Sequence, residues 1–450
     1  MPGVVLNCNM EDDRTPTLTE EFDNLTNRPG TAKKLETGND EKDTAPLTDI
    51  WSEEYPDGGA RAWFIVFGGA CATFSTFGYV NAWGVFQAYY EETLLQDSSP
   101  SNIAWIGSIQ YALVFLPALV GGHYFDRGHL SVPFFFASAL LVTATFLVGQ
   151  CTQYWHFLLC QGFAVGIASG ILFGPCYGVI GHWFKTKRGL ALGYLAVGSS
   201  VGGTVFPIVA RELIPRVGFT WTLRIIGFIL LGSLGIANLA IRRRLPPKHV
   251  AGGLFNPAAF KSPVYTIYCL SAIVAFLGLY TVLTYIDISA TSVGVSPDFS
   301  FYLISIANGA GLVGRLLAGV AADKFGPVNV IMPMSAVAAV MTYVWPFARS
   351  EGSFVAIAVI YGFSSGAYVS SFMMPMYHLG EIADVGRRSG MAMTLTALGA
   401  LAGPPISGAI NSATGSYKPV GYYAGSMILA AIVLMFLTRY LVLKKLWGKF

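Results

Sequence analysis

Twelve stretches of this 450-residue chain are apolar for about 20 residues each, the length a helix needs to cross the hydrocarbon core of a bilayer. In lipid, an open-ended backbone can satisfy its own hydrogen bonds only as a helix, so the pattern predicts an all-α membrane protein. The spans are expected near 62–88, 102–122, 132–150, 155–181, 189–210, 220–241, 263–286, 299–321, 327–346, 354–377, 388–410 and 420–441. Composition agrees: 54% of residues are hydrophobic and 12% charged, with a mean hydropathy of +0.55, whereas soluble domains carry about 25% charge. A net charge of +3, thinly spread, gives nucleic acid nothing to bind; the lipid bilayer is the expected surrounding. The six cysteines form no CxxC pair and five of them lie in apolar stretches, which predicts buried free thiols rather than disulfides or a metal site.

Residues 1–60 differ in kind. They carry fourteen Asp or Glu against five Lys or Arg among Thr, Pro, Gly and Asn, the composition of a disordered acidic tail. No secretory signal precedes the first span, which is expected to direct insertion itself. Lys and Arg in short loops mark the cytoplasmic side. With the N-terminus inside, those loops collect Arg127, Lys185, Lys187, Arg188, Arg242, Arg243, Arg244, Lys248, Lys261, Lys324, Arg387 and Arg388, and the C-terminal tail adds Lys444, Lys445 and Lys449. The other side has only Arg211, Arg216, Arg349 and Lys418. Both termini are therefore expected in the cytosol, where the Asn24-Leu25-Thr26 sequon stays idle. The basic, Pro- and Gly-rich linker 242–262 divides a half at 61–241 from a half at 263–441, with a tail at 442–450.

The two halves resemble each other. Gly162-Phe163, Gly166, Pro175 and Tyr177 of the fourth span return as Gly362-Phe363, Gly366, Pro375 and Tyr377 of the tenth, an offset of 200 at every position. Gly198 and Gly202 return as Gly399 and Gly403, and Gly122-x-x-x-Asp126-Arg127 as Gly319-x-x-x-Asp323-Lys324. Parallel repeats of this kind predict a cavity between the halves near the bilayer midplane, opened to either side by rocking. In the two Asp turns the glycine permits close helix approach, and the carboxylate lies at a helix end where it can take a helix N-terminus or an arginine as partner. Asp126, Arg127, Asp323 and Lys324 are the candidate gate; the bland alternative is a positive-inside turn.

Several motifs carry a family resemblance. Asp57-Gly58-Gly59-Ala60-Arg61-Ala62-Trp63 leads into the first span, and Trp183-Phe184-Lys185-Thr186-Lys187-Arg188-Gly189-Leu190-Ala191-Leu192-Gly193 opens the fifth. With Gly403-Pro404-Pro405-Ile406-Ser407-Gly408, these resemble the major facilitator superfamily and, within it, the monocarboxylate transporter family, particularly its fungal branch. The resemblance extends from about residue 55 onward and implies twelve transmembrane helices in two six-helix pseudo-symmetric halves. Members that carry a proton with a monocarboxylate have a lysine in the first span, where this chain has Asn81, and an acid one turn before the arginine of the eighth, where it has Gly311. The arginine itself is kept as Arg315.

An ionisable group at the depth of Arg315 costs at least ~2.5–3.5 kcal/mol, so it should face a cavity or a partner. A guanidinium suits bidentate capture of a carboxylate; the alternative is a structural arginine on backbone carbonyls. Asn81, Gln110, Asn308, Tyr280 and Tyr285 are the other candidate substrate contacts, each open to the reading of interhelical glue. Asp287 is expected at the outer end of the seventh span, where it could replace the missing acid. Gly309-Ala310-Gly311-Leu312-Val313-Gly314 and Gly198-Ser199-Ser200-Val201-Gly202 match enzyme motifs by letter, but both lie inside spans with no strand before them and read as small-residue packing faces. No catalytic residue or cofactor is implied. The expected function is secondary transport by alternating access: export of a small anionic or amphipathic metabolite across the plasma membrane (or a vacuolar one), with or without a co-transported proton. Uptake of a monocarboxylate or of a vitamin-like compound such as riboflavin, a non-transporting nutrient sensor and a membrane-embedded enzyme are the alternatives.

Overall fold

The structure, a computed structural model, describes residues 55–245, 253–380, 384–445 and 448–450. The tail with its sequon, Cys8, and the middle of the linker with Lys248 lie outside the described residues. Among them are twelve helices long and apolar enough to cross a membrane. These are α1 (Ala60–Leu94), α2 (Asn102–Asp126), α3 (Ser131–Val148), α4 (Tyr154–Trp183), α5 (Arg188–Val217) and α6 (Phe219–Ala240) of one half. The other half has α7 (Pro263–Ser292), α8 (Pro297–Phe325), α9 (Pro327–Phe347), α10 (Glu351–Tyr377), α11 (Val385–Thr414) and α12 (Tyr417–Leu443).

Several helices outrun their apolar stretches. α1 continues to Leu94, α5 to Val217 and α7 to Ser292, against expected ends at 88, 210 and 286. The helical hydrogen bonds persist where the first charges appear, through Glu91 and Glu92 in α1 and Arg211 and Glu212 in α5, because a helix end in the interfacial layer keeps its backbone paired while its side chains meet water. Serine caps start four helices. Ser99 before α2, Ser296 before α8, Ser350 before α10 and Ser416 before α12 each accept from a backbone N–H of the first turn. Large apolar residues such as Phe135, Phe136, Leu239 and Val433 remain exposed on the outside of the bundle, as a lipid-facing surface requires.

The described chain begins and ends at the same end of the bundle. There Tyr55 lies against Lys185 and Arg188 at 5.7 Å each, and the Phe450 carbonyl accepts from the Val328 N–H at 3.0 Å. At this basic end the halves are joined by a pair of matching contacts. Asp323 at the foot of α8 accepts from the Gly189 N–H at 2.6 Å and the Leu190 N–H at 2.9 Å, the first turn of α5 in the other half. Asp126 at the foot of α2 accepts from the Gly386 N–H at 3.2 Å and the Arg387 N–H at 2.7 Å, the first turn of α11. Each carboxylate thus takes the helix N-terminus, the first of the two partners foreseen. The offset, 323 − 126 and 386 − 189, is 197 for donor and acceptor alike.

Glycine is required where these helices meet. A Cβ on Gly319 would stand 2.2 Å from the Gly189 carbonyl oxygen, and one on Gly122 2.1 Å from that of Gly386. Nearby, the Tyr377 hydroxyl donates to the Tyr177 carbonyl, joining residues that the repeat makes equivalent. Arg127 and Lys324 are exposed and stay outside both contacts.

Asp126→Ala and Asp323→Ala each remove two charge-assisted acceptors, an expected loss of about 1–3 kcal/mol from the closed basic end. A cysteine at Ala318, which is 4% exposed, should then react faster with a water-soluble thiol reagent. Unchanged reactivity would reduce the Asp turns to loop geometry. Gly319→Val should raise the same reactivity more strongly while the chain still inserts, because the branched side chain cannot fit against Gly189; a protected cysteine there would contradict the packing described.

Candidate functional site between the two halves

Midway through α1 the helix loosens. Its turns widen over Phe74–Gly78, the chain leaves the helix at Asn81 and Ala82, and a new segment begins at Trp83. The Asn81 N–H donates to the Phe77 carbonyl at 3.1 Å and the Ala82 N–H to the Tyr79 carbonyl at 3.0 Å. α7 does the same. It runs to Leu279 and resumes at Thr281, with Tyr280 between at φ −88° and ψ −9°. Asn81 and Tyr280 are 199 residues apart (280 − 81), so these two interruptions fall at equivalent positions of the two halves. No proline marks either break. Interrupted helices near the midplane are where transporters of this architecture expose backbone and polar groups to a cargo.

Both breaks open on a cavity of about 30 Å³. Asn81 lines it from α1, Tyr280 from α7, Asn308 and Arg315 from α8 and Ser365 from α10, with Phe77, Leu279, Leu283 and Val369 as apolar wall. That is room for about one water molecule, so an organic cargo enters only when the halves part.

Arg315 dominates the cavity. It is 8% exposed, and among the described residues no carboxylate lies within ion-pair distance of it. Nη1 donates to the Ala196 carbonyl at 2.8 Å and to Ser199 Oγ at 2.5 Å, both on α5; Nε has no partner. The Asn308 side-chain amide donates to the Gly203 carbonyl of α5 at 3.3 Å. The Tyr111 hydroxyl of α2 donates to Asn81 Oδ1 at 2.5 Å, and its ring stands edge-on to Tyr280 at 5.4 Å. Four of the six candidate contacts, Asn81, Tyr280, Asn308 and Arg315, therefore share one cavity.

Two do not. Gln110 is buried against α4 beside Gly166, outside the cavity lining, and its side-chain oxygen has no hydrogen-bond partner. Tyr285 turns the other way: its hydroxyl donates to the Pro404 carbonyl of α11 at 2.8 Å, and its ring packs on Tyr417 of α12. Beyond the break Leu283 still lines the cavity, and Tyr285, two residues further along the helix, does not. Conversely, Tyr111, Ser199 and Ser365 belong to the site and were not singled out. Ser199 lies within the GxSxG letters, whose small-residue spacing was the only signal there.

The two family motifs in the first half form one unit. Asp57 Oδ1 accepts from the backbone N–H groups of Lys185, Thr186 and Lys187 at 2.7, 2.8 and 3.4 Å, while its own N–H donates to the Trp183 carbonyl at 3.2 Å. Gly58 and Gly59, the latter at φ 84°, turn the chain into α1, and Trp63 packs edge-on against Phe184. Arg188 is buried, its Nε donating to the Phe184 carbonyl at 2.6 Å and its guanidinium over the Tyr377 ring. Partial burial pushes the Asp57 carboxyl up, but the three N–H bonds outweigh it and leave its pKa below the usual value. The start of α5 is thus gripped by two carboxylates, Asp57 from its own half and Asp323 from the other.

Known proteins agree with this architecture. The human organic anion transporter MFSD10 superimposes with a TM-score of 0.66 at 15% identity, covering 83% of this chain and 99% of that one. The fucose:proton symporter of E. coli gives 0.65 at 14% identity, covering 83% and 98%. Among sequence relatives, the aspyridones efflux protein apdF of Emericella nidulans is 36% identical over 403 residues, 89% of this chain and 82% of that protein. The agnestins efflux protein AgnL12 of Paecilomyces divaricatus is 33% identical over 382 residues, covering 84% and 87%. A profile of the Major Facilitator Superfamily matches residues 64–378 and 268–448. With twelve spans in two halves around one midplane cavity, the chain belongs to the Major Facilitator Superfamily.

Proposed function

We propose that this protein exports a small amphipathic organic anion, a secondary metabolite of a fungal cell, by alternating access. The observation that carries the anionic part is Arg315: a buried cation with no acidic partner among the described residues, at the wall of a cavity with aromatic and amide lining. A guanidinium in that position selects a planar anion, and Phe77 and Tyr280 give an apolar body something to lie against. Export is supported by the relatives named as efflux proteins for aspyridones and agnestins. The motifs at Asp57–Trp63 and Trp183–Ala191 support a place in the monocarboxylate-transporter-like branch.

In this reading the basic end faces the cytosol of a cell whose plasma membrane holds the protein, an orientation that the excess of Lys and Arg there supports. Residues 61–241 and 263–441 are the rocking halves, 242–262 their linker, and 1–60 and 442–450 the cytoplasmic tails. Asp126 and Asp323 close the gate. The cavity lining contains no Asp, Glu or His, so a proton would not ride at the cargo site itself; half-buried Asp287 on α7 is the acid available for one.

Two measurements test this. Arg315→Ala should insert normally and lower efflux of the metabolite at least 100-fold, because the anion then meets an uncompensated apolar cavity; efflux at the normal rate would remove Arg315 from the mechanism. Deleting the gene should raise the intracellular level of one organic acid. A deletion strain that instead requires an external nutrient would establish uptake of a monocarboxylate or vitamin-like compound, and a strain with altered gene expression but normal fluxes would establish a sensor.

A further inference from the structure

Arg315 and its two acceptors belong to different halves. The guanidinium is on α8, while Ala196 and Ser199 are on α5. The Ser199 hydroxyl donates to the Ala196 carbonyl at 2.8 Å, which turns its lone pairs toward the arginine and closes a triangle of three hydrogen bonds, two of them across the seam. The triangle stands between gate and cavity: Arg315 is eight residues from Asp323 along α8 (323 − 315), and Ser199 ten from Gly189 along α5 (199 − 189). Arg315 Nε has no partner, and Ser200 Oγ, also without one, lies beside Gly311 in the cavity wall.

This geometry sets a problem when the basic end opens. α5 must withdraw from α8, so Nη1 loses both acceptors while Nε still has none. A buried guanidinium stripped of acceptors is strongly disfavoured, and the opened state is populated only if something replaces them. A carboxylate fits that vacancy, with two oxygens for a fork of N–H donors. In the closed state it cannot coexist with the triangle, since the cavity holds about 30 Å³.

We propose that an organic carboxylate arriving from the basic end takes the place of Ser199 and Ala196 on Arg315, so that one guanidinium holds cargo when that end is open and clasps the two halves when it is shut. The proposal rests on the reading of Arg315 as the cargo's anchor. It makes Ser199 a positioning residue, and it makes closure itself the step that loosens the cargo: as α5 returns, its acceptors displace the carboxylate and leave it facing the opposite end with low affinity. Binding of a carboxylate, in turn, favours the open basic end, because a ligand shifts an equilibrium toward the state it binds better.

The test uses the full chain in lipid nanodiscs with its six native cysteines replaced by alanine and spin labels on His129→Cys and Phe325→Cys, exposed positions at the basic end of each half. The ratio of long to short interspin distances reports opening. Benzoate, as the probe carboxylate, should raise that ratio in the otherwise unaltered protein. Ser199→Ala should raise it about tenfold without benzoate, equivalent to 1.4 kcal/mol, and Ser199→Thr, which keeps the hydroxyl, should restore it. Arg315→Lys, which keeps the charge but loses the fork, should be open-shifted as well and gives a second measure of the same clasp. A benzoate-insensitive ratio, or a Ser199→Ala ratio equal to that of the unaltered protein, overturns the exchange. If Arg315→Ala still exports its metabolite, the anchor reading falls with it; if Arg315→Ala is inactive and Ser199→Ala unshifted, the anchor stands and only the clasp is wrong.

Discussion

The first N–H groups of a helix need acceptors, and where two halves of a membrane protein meet end to end, the opposite half is the nearest source. α5 and α11 both begin at the basic end, and both receive a carboxylate from across the seam. Much of the interface follows from that need. The carboxylates reach only if the helices nearly touch, so Gly122, Gly189, Gly319 and Gly386 must lack side chains. The positive end of the helix dipole favours the ionised acid, and because the contacts are few and directional, a rigid half can leave them together in one rocking motion.

The receiving helix ends are braced differently in the two halves. Asp57 from the opening motif holds the loop before α5, whereas Asp384 at the start of α11 pairs with Arg387 at 2.6 Å and Arg388 at 3.8 Å and accepts from Asn256 of the linker at 3.2 Å. Neither brace uses the carboxylates of Asp126 and Asp323 that cross the seam. They hold the first turns of α5 and α11 in place beside those carboxylates. The opposite end of the seam is joined in another way, with Arg211 and Asp298 bridging the halves at 2.6 Å while the aspartate side chain is 91% exposed. Such a pair contributes about 0–1 kcal/mol, so the sealed basic end is the stronger of these two connections.

What the sequence revealed depended on whether a signal repeats or stands alone. The twelve spans and the Asp turns were legible because lipid forces long apolar runs and because each Asp turn occurs twice. Arg315 was legible because charge at such depth is rare. The breaks at Asn81 and Tyr280 were not, since neither is marked by proline or lies outside an apolar stretch, and their equivalence emerges only from the backbone. Tyr285 follows from helix geometry instead: five residues beyond Tyr280, it lies about 140° further round a helix and meets α11 and α12 rather than the cavity. Gln110 shows a different limit. Polarity within a span says that a group needs company, and helix rotation decides whether that company is a cavity or a neighbouring helix.

Arg315 also clarifies what the absent acid and lysine mean. In a cavity with a paired acid, the arginine's charge is balanced before the cargo arrives, and the cargo must bring or release a proton to change that balance. Here the balance is made by neutral dipoles, a carbonyl and a hydroxyl, on a helix of the other half. Neutral acceptors stabilise a guanidinium less than a carboxylate does, which leaves the charge available to an anion, yet they suffice to keep the empty cavity closed around it. In the proposed exchange the acceptors return with α5, so closure of the cavity around Arg315 draws on hydrogen bonds across the seam.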